Sequence, residues 1–137
     1  MHTTSYLFFN GNCAEALDFY KKAAGAVVHH TMTYGDSPAM PHMPPEMKDK
    51  LIHASFSIGD SAVMASDCPP QHLKPFGGFA LSISVSSAGE ADKLFSALSD
   101  GGSIIMPLGE TFFAKSFGQF TDKFGVMWMV IHEKECA

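Results

Sequence analysis

The feature that most constrains this chain is that it repeats itself. Glu15-Ala16-x-x-Phe19-Tyr20 in the first half is matched by Glu90-Ala91-x-x-Leu94-Phe95 in the second, and the cap residues Asn12 and Ser87 precede the two motifs at the same offset. Around each motif the same order of segments runs: strand, helix, strand, strand, strand. A repeat read this way constrains the whole architecture. One helix and four short strands cannot alone bury both a sheet face and a helix stripe. The expectation is therefore a single α+β domain over 1–137 made of two tandem βαβββ modules, about 1–74 and 75–137. Side by side they form a curved, half-open mixed β-sheet barrel, with the helices on the convex face and a cavity on the other.

Local signals place the elements. Ser5–Phe9 is a short aromatic strand, followed by the turn Asn10-Gly11-Asn12, where Asn12 is placed to cap a helix over Cys13–Ala24. Ala16, Phe19, Tyr20 and Ala23 make its apolar stripe, and Gly25 ends it. A strand is expected over Ala26–Tyr34. The segment 35–50 holds Pro38, Pro41, Pro44 and Pro45 with Met40, Met43 and Met47, and reads as a loop: a lid over a binding site or a solvated excursion. Leu51–Ile58 alternates strictly, with Ile52, Ala54, Phe56 and Ile58 on one face and His53, Ser55 and Ser57 on the other. Gly59-Asp60 turns the chain into a returning strand, Ser61–Asp67. In the second half a strand over Phe79–Val85 precedes the capping box Ser87-Ala88-Gly89-Glu90 and a helix to about Asp100. Its stripe is Ala91, Leu94, Phe95 and Leu98, and Gly101-Gly102 stops it. Strands follow over Ser103–Leu108, Ala114–Thr121 and Val126–His132.

Composition excludes several classes. Hydrophobic residues make up 46% and charged residues 17%, the balance of a packed protein rather than a disordered one. A net charge of −5 argues against nucleic acid or an anionic membrane surface as a partner. No apolar run approaches the roughly 18 residues of a spanning helix, and Met1–Tyr6 lacks a signal-peptide pattern. Cys13, Cys68 and Cys136 are few, odd in number and widely spaced, which fits reduced thiols in a cytoplasmic protein better than a disulfide framework. Cys68, beside two prolines, is the one expected to be exposed.

The ordered series Tyr6-Leu7-Phe8-Phe9-Asn10-Gly11-Asn12, Ala16-Leu17-Asp18-Phe19-Tyr20, Gly25, His53-Ala54-Ser55-Phe56-Ser57-Ile58 and Met64-Ala65-Ser66-Asp67 resembles the PhnB family. It continues through Gly78-Phe79, Glu110-Thr111-Phe112-Phe113, Phe117-Gly118 and Thr121-Asp122-Lys123-Phe124-Gly125-Val126-Met127-Trp128. That family falls within the vicinal oxygen chelate superfamily, with its glyoxalases, extradiol dioxygenases and bleomycin-resistance proteins. Many PhnB-like members carry the description of a demethylubiquinone methyltransferase. The resemblance implies the glyoxalase/bleomycin resistance/dioxygenase fold and pairing into a homodimer.

It also implies four strand positions that hold a divalent metal in other members. By offset from caps and turns these fall on Ser5, Met64, Ala80 and Met129. A shift of one residue offers Tyr6, Leu81 and Trp128 instead. Neither set suits a hard divalent ion, because a thioether is a soft donor. No metal and no cofactor is expected there.

The cavity then takes its character from other side chains. Period two places Ser66, Ser82, Ser84, Met127 and Ile131 beside Met64 and Met129, with Ser55, Ser57 and His53 on the adjoining strand. Hydroxyls, thioethers and one imidazole suit a small, partly apolar organic ligand. His53 is the one residue there of a type able to act as acid or base near neutral pH and is the candidate for that role, with Glu110 as its partner. It can equally be a cavity histidine satisfied by one hydrogen bond. Asp122 reads as a ligand anchor or as turn chemistry, and Lys115 as a counter-ion to Glu110 or Asp122. His29, His30 and His42 are expected to be solvated, and Trp128 to pack in the core. Three functions follow in order: a small-molecule binding protein; a lyase or isomerase using His53 and Glu110; and, last, a methyltransferase. The last ranks so because no glycine-rich strand-to-helix turn for a methyl-donor nucleotide is present.

Overall fold

A computed structural model describes residues 1–38, 45–69 and 73–134. His42, Met40, Met43, Pro41, Pro44 and Cys136 lie outside the described residues. The chain forms two compact units, Met1–Lys74 and Pro75–Ala137.

In the first unit the order is β1 (Ser5–Phe9), α1 (Cys13–Ala24), β2 (Val27–Thr33), β3 (Leu51–Ile58) and β4 (Ser61–Asp67), with a single 3-10 turn at Pro45–Met47. The sheet order is β1-β4-β3-β2; β1 runs parallel to β4, and the other neighbours are antiparallel. The second unit repeats this with β5 (Leu81–Ser84), α2 (Ala88–Ser99), β6 (Ser103–Gly109), β7 (Ala114–Thr121) and β8 (Met127–Glu133), in the order β5-β8-β7-β6. The duplicated βαβββ plan and the α+β class read from the motifs are thus present.

Each helix covers one face of its own sheet. In the first unit Leu7, Phe9, Ala54, Phe56, Val63 and Ala65 are buried, together with Cys13, Ala16, Leu17 and Tyr20 of α1. The Tyr20 and Phe56 rings stack at 6.0 Å between centroids. The buried stripe of α1 therefore centres on Leu17, with Phe19 and Ala23 only half-buried at its margin. In the second unit Phe95 of α2 meets Phe120 edge-on at 5.1 Å, over buried Trp128 and Val130. Gly118 is required beneath α2, because an added Cβ would press on the Phe95 ring. Trp128 is 1% exposed, in the core as expected.

Several boundaries move, for identifiable reasons. Ala26 belongs to the end of α1 rather than to β2: its N–H donates to the carbonyl of Tyr20, while Gly25 takes a left-handed φ of 67°. Val126 is held in the turn by a reciprocal pair with Asp122, so β8 starts at Met127. β5 covers only Leu81–Ser84, although Val85 N–H still donates to Ile131.

The capping expectation holds for one helix and fails for the other. Ser87 Oγ accepts from Glu90 N–H at 3.1 Å. Asn12 makes no side-chain cap bond. Instead Asp67, at the end of β4, accepts from Cys13 N–H through Oδ1 at 2.9 Å and from Leu51 N–H through Oδ2 at 2.9 Å. A carboxylate is a stronger acceptor than an amide at a helix N-terminus, and it ties helix, third strand and fourth strand together.

Candidate functional site

With one face of each sheet given to a helix, alternation leaves the other for chemistry. In the first unit that open face carries Tyr6 and Phe8 on β1, Met64 and Ser66 on β4, and His53, Ser55 and Ser57 on β3. Tyr6 stands opposite Met64, Met64 opposite Ser55, and Ser55 opposite His30 of β2. Phe8 stands opposite Ser66, and His53 opposite Met32. His53, Ser55, Ser57 and Met64 are half-buried, whereas Ser66 is 5% exposed.

His53 is the best-connected polar group on this face. Its Nδ1 lies 3.2 Å from the Tyr6 hydroxyl. The Tyr6 ring is also 5.9 Å from the imidazole and 4.9 Å from Phe8, centroid to centroid. The sequence reasoning missed Tyr6 because it placed Ser5 inward. Ser5 instead pairs with buried Val63 and shares the parity of buried Leu7 and Phe9, so its side chain belongs to the helix side. The strict alternation of Ser5–Phe9 carried that signal.

In the second unit Ser82 stands opposite Met129, Met129 opposite Gln119, and Gln119 opposite Met106. Ser84 stands opposite Ile131, and Thr121 opposite Met127. Ser82 and Ser84 are exposed, while Met127 and Met129 are half-buried. Gln119 donates through Nε2 to the Met127 sulfur at 2.9 Å, another residue sequence reasoning passed over.

The remaining candidates separate clearly. Glu110 lies in the second unit, exposed, with Lys134 Nζ at 3.8 Å from its carboxylate. Asp122 is turn chemistry and more: Oδ1 accepts from Phe124 N–H at 2.8 Å and Val126 N–H at 3.0 Å, and Oδ2 from Trp128 Nε1–H at 2.8 Å. At 3% exposed, it is a framework residue, not a ligand anchor. His29 and His30 are exposed, but His29 Nε2 lies 2.9 Å from Ser57 Oγ, on the open face. Cys68 is half-buried. Burial, reinforced by Asp67, pushes the Cys13 thiol up to about 12, so at neutral pH it is protonated and a poor nucleophile.

The donors at the superfamily's metal positions do not fit a hard divalent ion. The first unit offers the Tyr6 phenol and the Met64 thioether; the second offers Ala80 and the Met129 thioether. Among the described residues no three His, Cys, Asp or Glu side chains are grouped to share a metal. Among them, too, no helix is long and apolar enough to cross a membrane.

Paired βαβββ units, each with a helix on one sheet face and a mixed polar and thioether face opposite, define a protein of the glyoxalase/bleomycin resistance/dioxygenase class. A domain so described from a Frankia species superposes with a TM-score of 0.71 over 98% of both chains at 16% identity, a likeness of fold. The chain belongs to the 3-demethylubiquinone-9 3-methyltransferase family, the PhnB-like branch of the vicinal oxygen chelate superfamily, whose model matches residues 1–131. Protein PA1353 of Pseudomonas aeruginosa is 45% identical, with a TM-score of 0.88 over 98% of this chain and 99% of that one. A PhnB protein of Bacillus cereus is 28% identical, with a TM-score of 0.80 over 96% and 99%. Protein YjdN of Escherichia coli strain K12 is 33% identical over 95% of this chain and 94% of its own.

Proposed function

We propose that this PhnB-like protein binds a small, partly apolar organic molecule on the open faces of its sheets, without the superfamily's divalent metal. The observation that carries this reading is the composition of those faces. A phenol, an imidazole, hydroxyls and thioethers alternate there, at Tyr6, His53, Ser55, Ser57, Met64 and Ser66, and again at Ser82, Ser84, Met127 and Met129. Such a mixture gives a few directional anchors in an adaptable apolar setting. The test is a thermal-shift screen of amphipathic aromatic compounds, with each hit recovered and analysed. Binding is expected to raise the melting temperature and return the compound unchanged. His53→Ala should weaken it about 3- to 10-fold, the worth of one half-buried hydrogen-bonding anchor. Hits that bind His53→Ala equally well would remove His53 from the site, and a stoichiometric divalent metal in protein purified without chelator would overturn the metal-free reading.

A second reading is a lyase or isomerase with His53 as acid or base. The Tyr6 hydroxyl on His53 Nδ1 favours it, because a fixed ring orientation is what a proton-transferring imidazole needs. Conversion of a screened compound that is lost in His53→Ala would select this reading over simple binding. A methyltransferase remains the weakest, for want of a nucleotide-binding turn.

Pairing of two copies and a reducing, cytoplasmic setting complete the proposal. Edge strand β6 exposes Ile104, Ile105 and Met106 at 56%, 51% and 45%, apolar surface that a second copy would cover. Light scattering is expected to give twice the 14.8 kDa chain mass; a particle of the chain mass alone would refute pairing.

A further inference from the structure

The outer edge of the first unit's sheet brings His30 and Met32, which the ligand reading does not use, beside His53, which it does. Strand β2 pairs Val28 with Phe56 and then His30 with Ser55, so the register slips by one residue at His29. A bulge of this kind re-aims side chains. It leaves His29 against Ser57 and brings the His30 ring to 6.2 Å from the His53 ring, tilted by 45°. Met32 follows two residues on, directly opposite His53 and 39% exposed. Two imidazoles and a thioether thus share one open, solvent-reached patch at the sheet edge.

We infer that His30, His53 and Met32 form a copper(I) site at this edge. It goes beyond the small-molecule reading, with which it shares His53, and takes none of its three ligands from the superfamily's metal positions. The donor set selects the ion. Hard divalent ions are held by carboxylates, carbonyls and water, and none of the three residues supplies one. Thioether with imidazole is a soft set, suited to copper(I). The spacing agrees. An imidazole nitrogen sits about 2 Å from a first-row ion, so two rings on opposite sides of one ion have centroids roughly 6 Å apart, whereas tetrahedral zinc would draw them to about 5 Å. The observed 6.2 Å is the separation two rings on opposite sides of one ion would have, and the register sets Met32 directly beside His53. Tyr6 completes it. A ligating histidine usually donates its second ring N–H to an oxygen, which fixes the tautomer. In the tautomer whose Nδ1–H donates to the Tyr6 oxygen, Nε2 of His53 is the nitrogen left to bind the ion.

The test is an anaerobic copper(I) titration against a chromophoric copper(I) chelator. It is done in a Cys68→Ser, Cys136→Ser background so that thiols do not contribute; Cys13 is buried and protonated. One copper(I) per chain is expected to withstand the chelator. Met32→Leu and His30→Ala, both at exposed positions, should each weaken binding by about tenfold or more with the unfolding transition unchanged. X-ray absorption should report mixed nitrogen and sulfur neighbours, with the sulfur lost in Met32→Leu. No retained copper, or retention equal in both variants, would overturn the site. Displacement of the copper by equimolar zinc would overturn the choice of ion.

Discussion

Asp122→Ala is expected to lower the stability of the second unit by about 3–5 kcal/mol, because three donors lose their acceptor together. The side chain is 3% exposed and receives Phe124 N–H, Val126 N–H and the Trp128 indole N–H. Each buried donor left without a partner costs about 1–3 kcal/mol, and water cannot easily reach this turn to replace the carboxylate. The melting temperature should fall by roughly 10–20 °C. Asp122→Asn should fall between wild type and alanine, since its carbonyl can keep the two backbone bonds while its NH2 faces the indole N–H. Trp128, the only tryptophan, reports directly: its emission should move to longer wavelength at the lower melting temperature, as unfolding exposes the indole to water. A loss under about 1 kcal/mol in chemical denaturation would show that the turn stands without this carboxylate.

Asp67→Ala is expected to cost about 2–5 kcal/mol in the first unit, by a different route. Its two oxygens serve Cys13 N–H at the start of α1 and Leu51 N–H at the start of β3, and its main-chain carbonyl accepts from the Tyr34 hydroxyl at 2.8 Å. Asp67→Asn does not rescue fully, because both oxygens face donors and an amide offers only one acceptor. Hydrogen exchange separates this from general loosening. The amides of Cys13 and Leu51 should lose protection first, ahead of those in the middle of β4. Unchanged exchange at those two amides would place the stability of this corner elsewhere.

These two aspartates also mark what the amino-acid order makes legible. Ser87 caps α2 from three residues away, so its role is written in adjacent letters. Asn12 occupies the matching place before α1, yet the acceptor arrives from Asp67, 54 residues beyond the Cys13 amide it serves, and no local pattern announces it. The strands of each module were legible from alternation, and Leu51–Ile58 has the bounds its pattern implies. The open-face residues His53, Ser55, Ser57 and Met64 followed from the same parity. What parity alone could not give was the register between strands. The pairing of β1 with β4 puts Tyr6, not Ser5, beside Met64, and the slip at His29 turns two histidines expected in solvent toward Ser57 and His53. Both depend on how one strand is set against another, which hydrophobic patterning constrains only weakly at an edge. Asp122 was legible as turn chemistry, but its grip on Trp128 across six residues required the folded turn.

The parallel pairing of β1 with β4 has a consequence for how the chain is made. Residues 5–9 take their strand partner from residues 61–67, so the first strand has no sheet to join until the fourth has left the ribosome. A partner that distant is slow to find, because loop closure precedes any reward from the contact. Throughout that interval Tyr6, Leu7, Phe8 and Phe9 form an apolar stretch with backbone unsatisfied by a sheet partner. During synthesis, then, this segment depends on a chaperone or on swift elongation to escape aggregation.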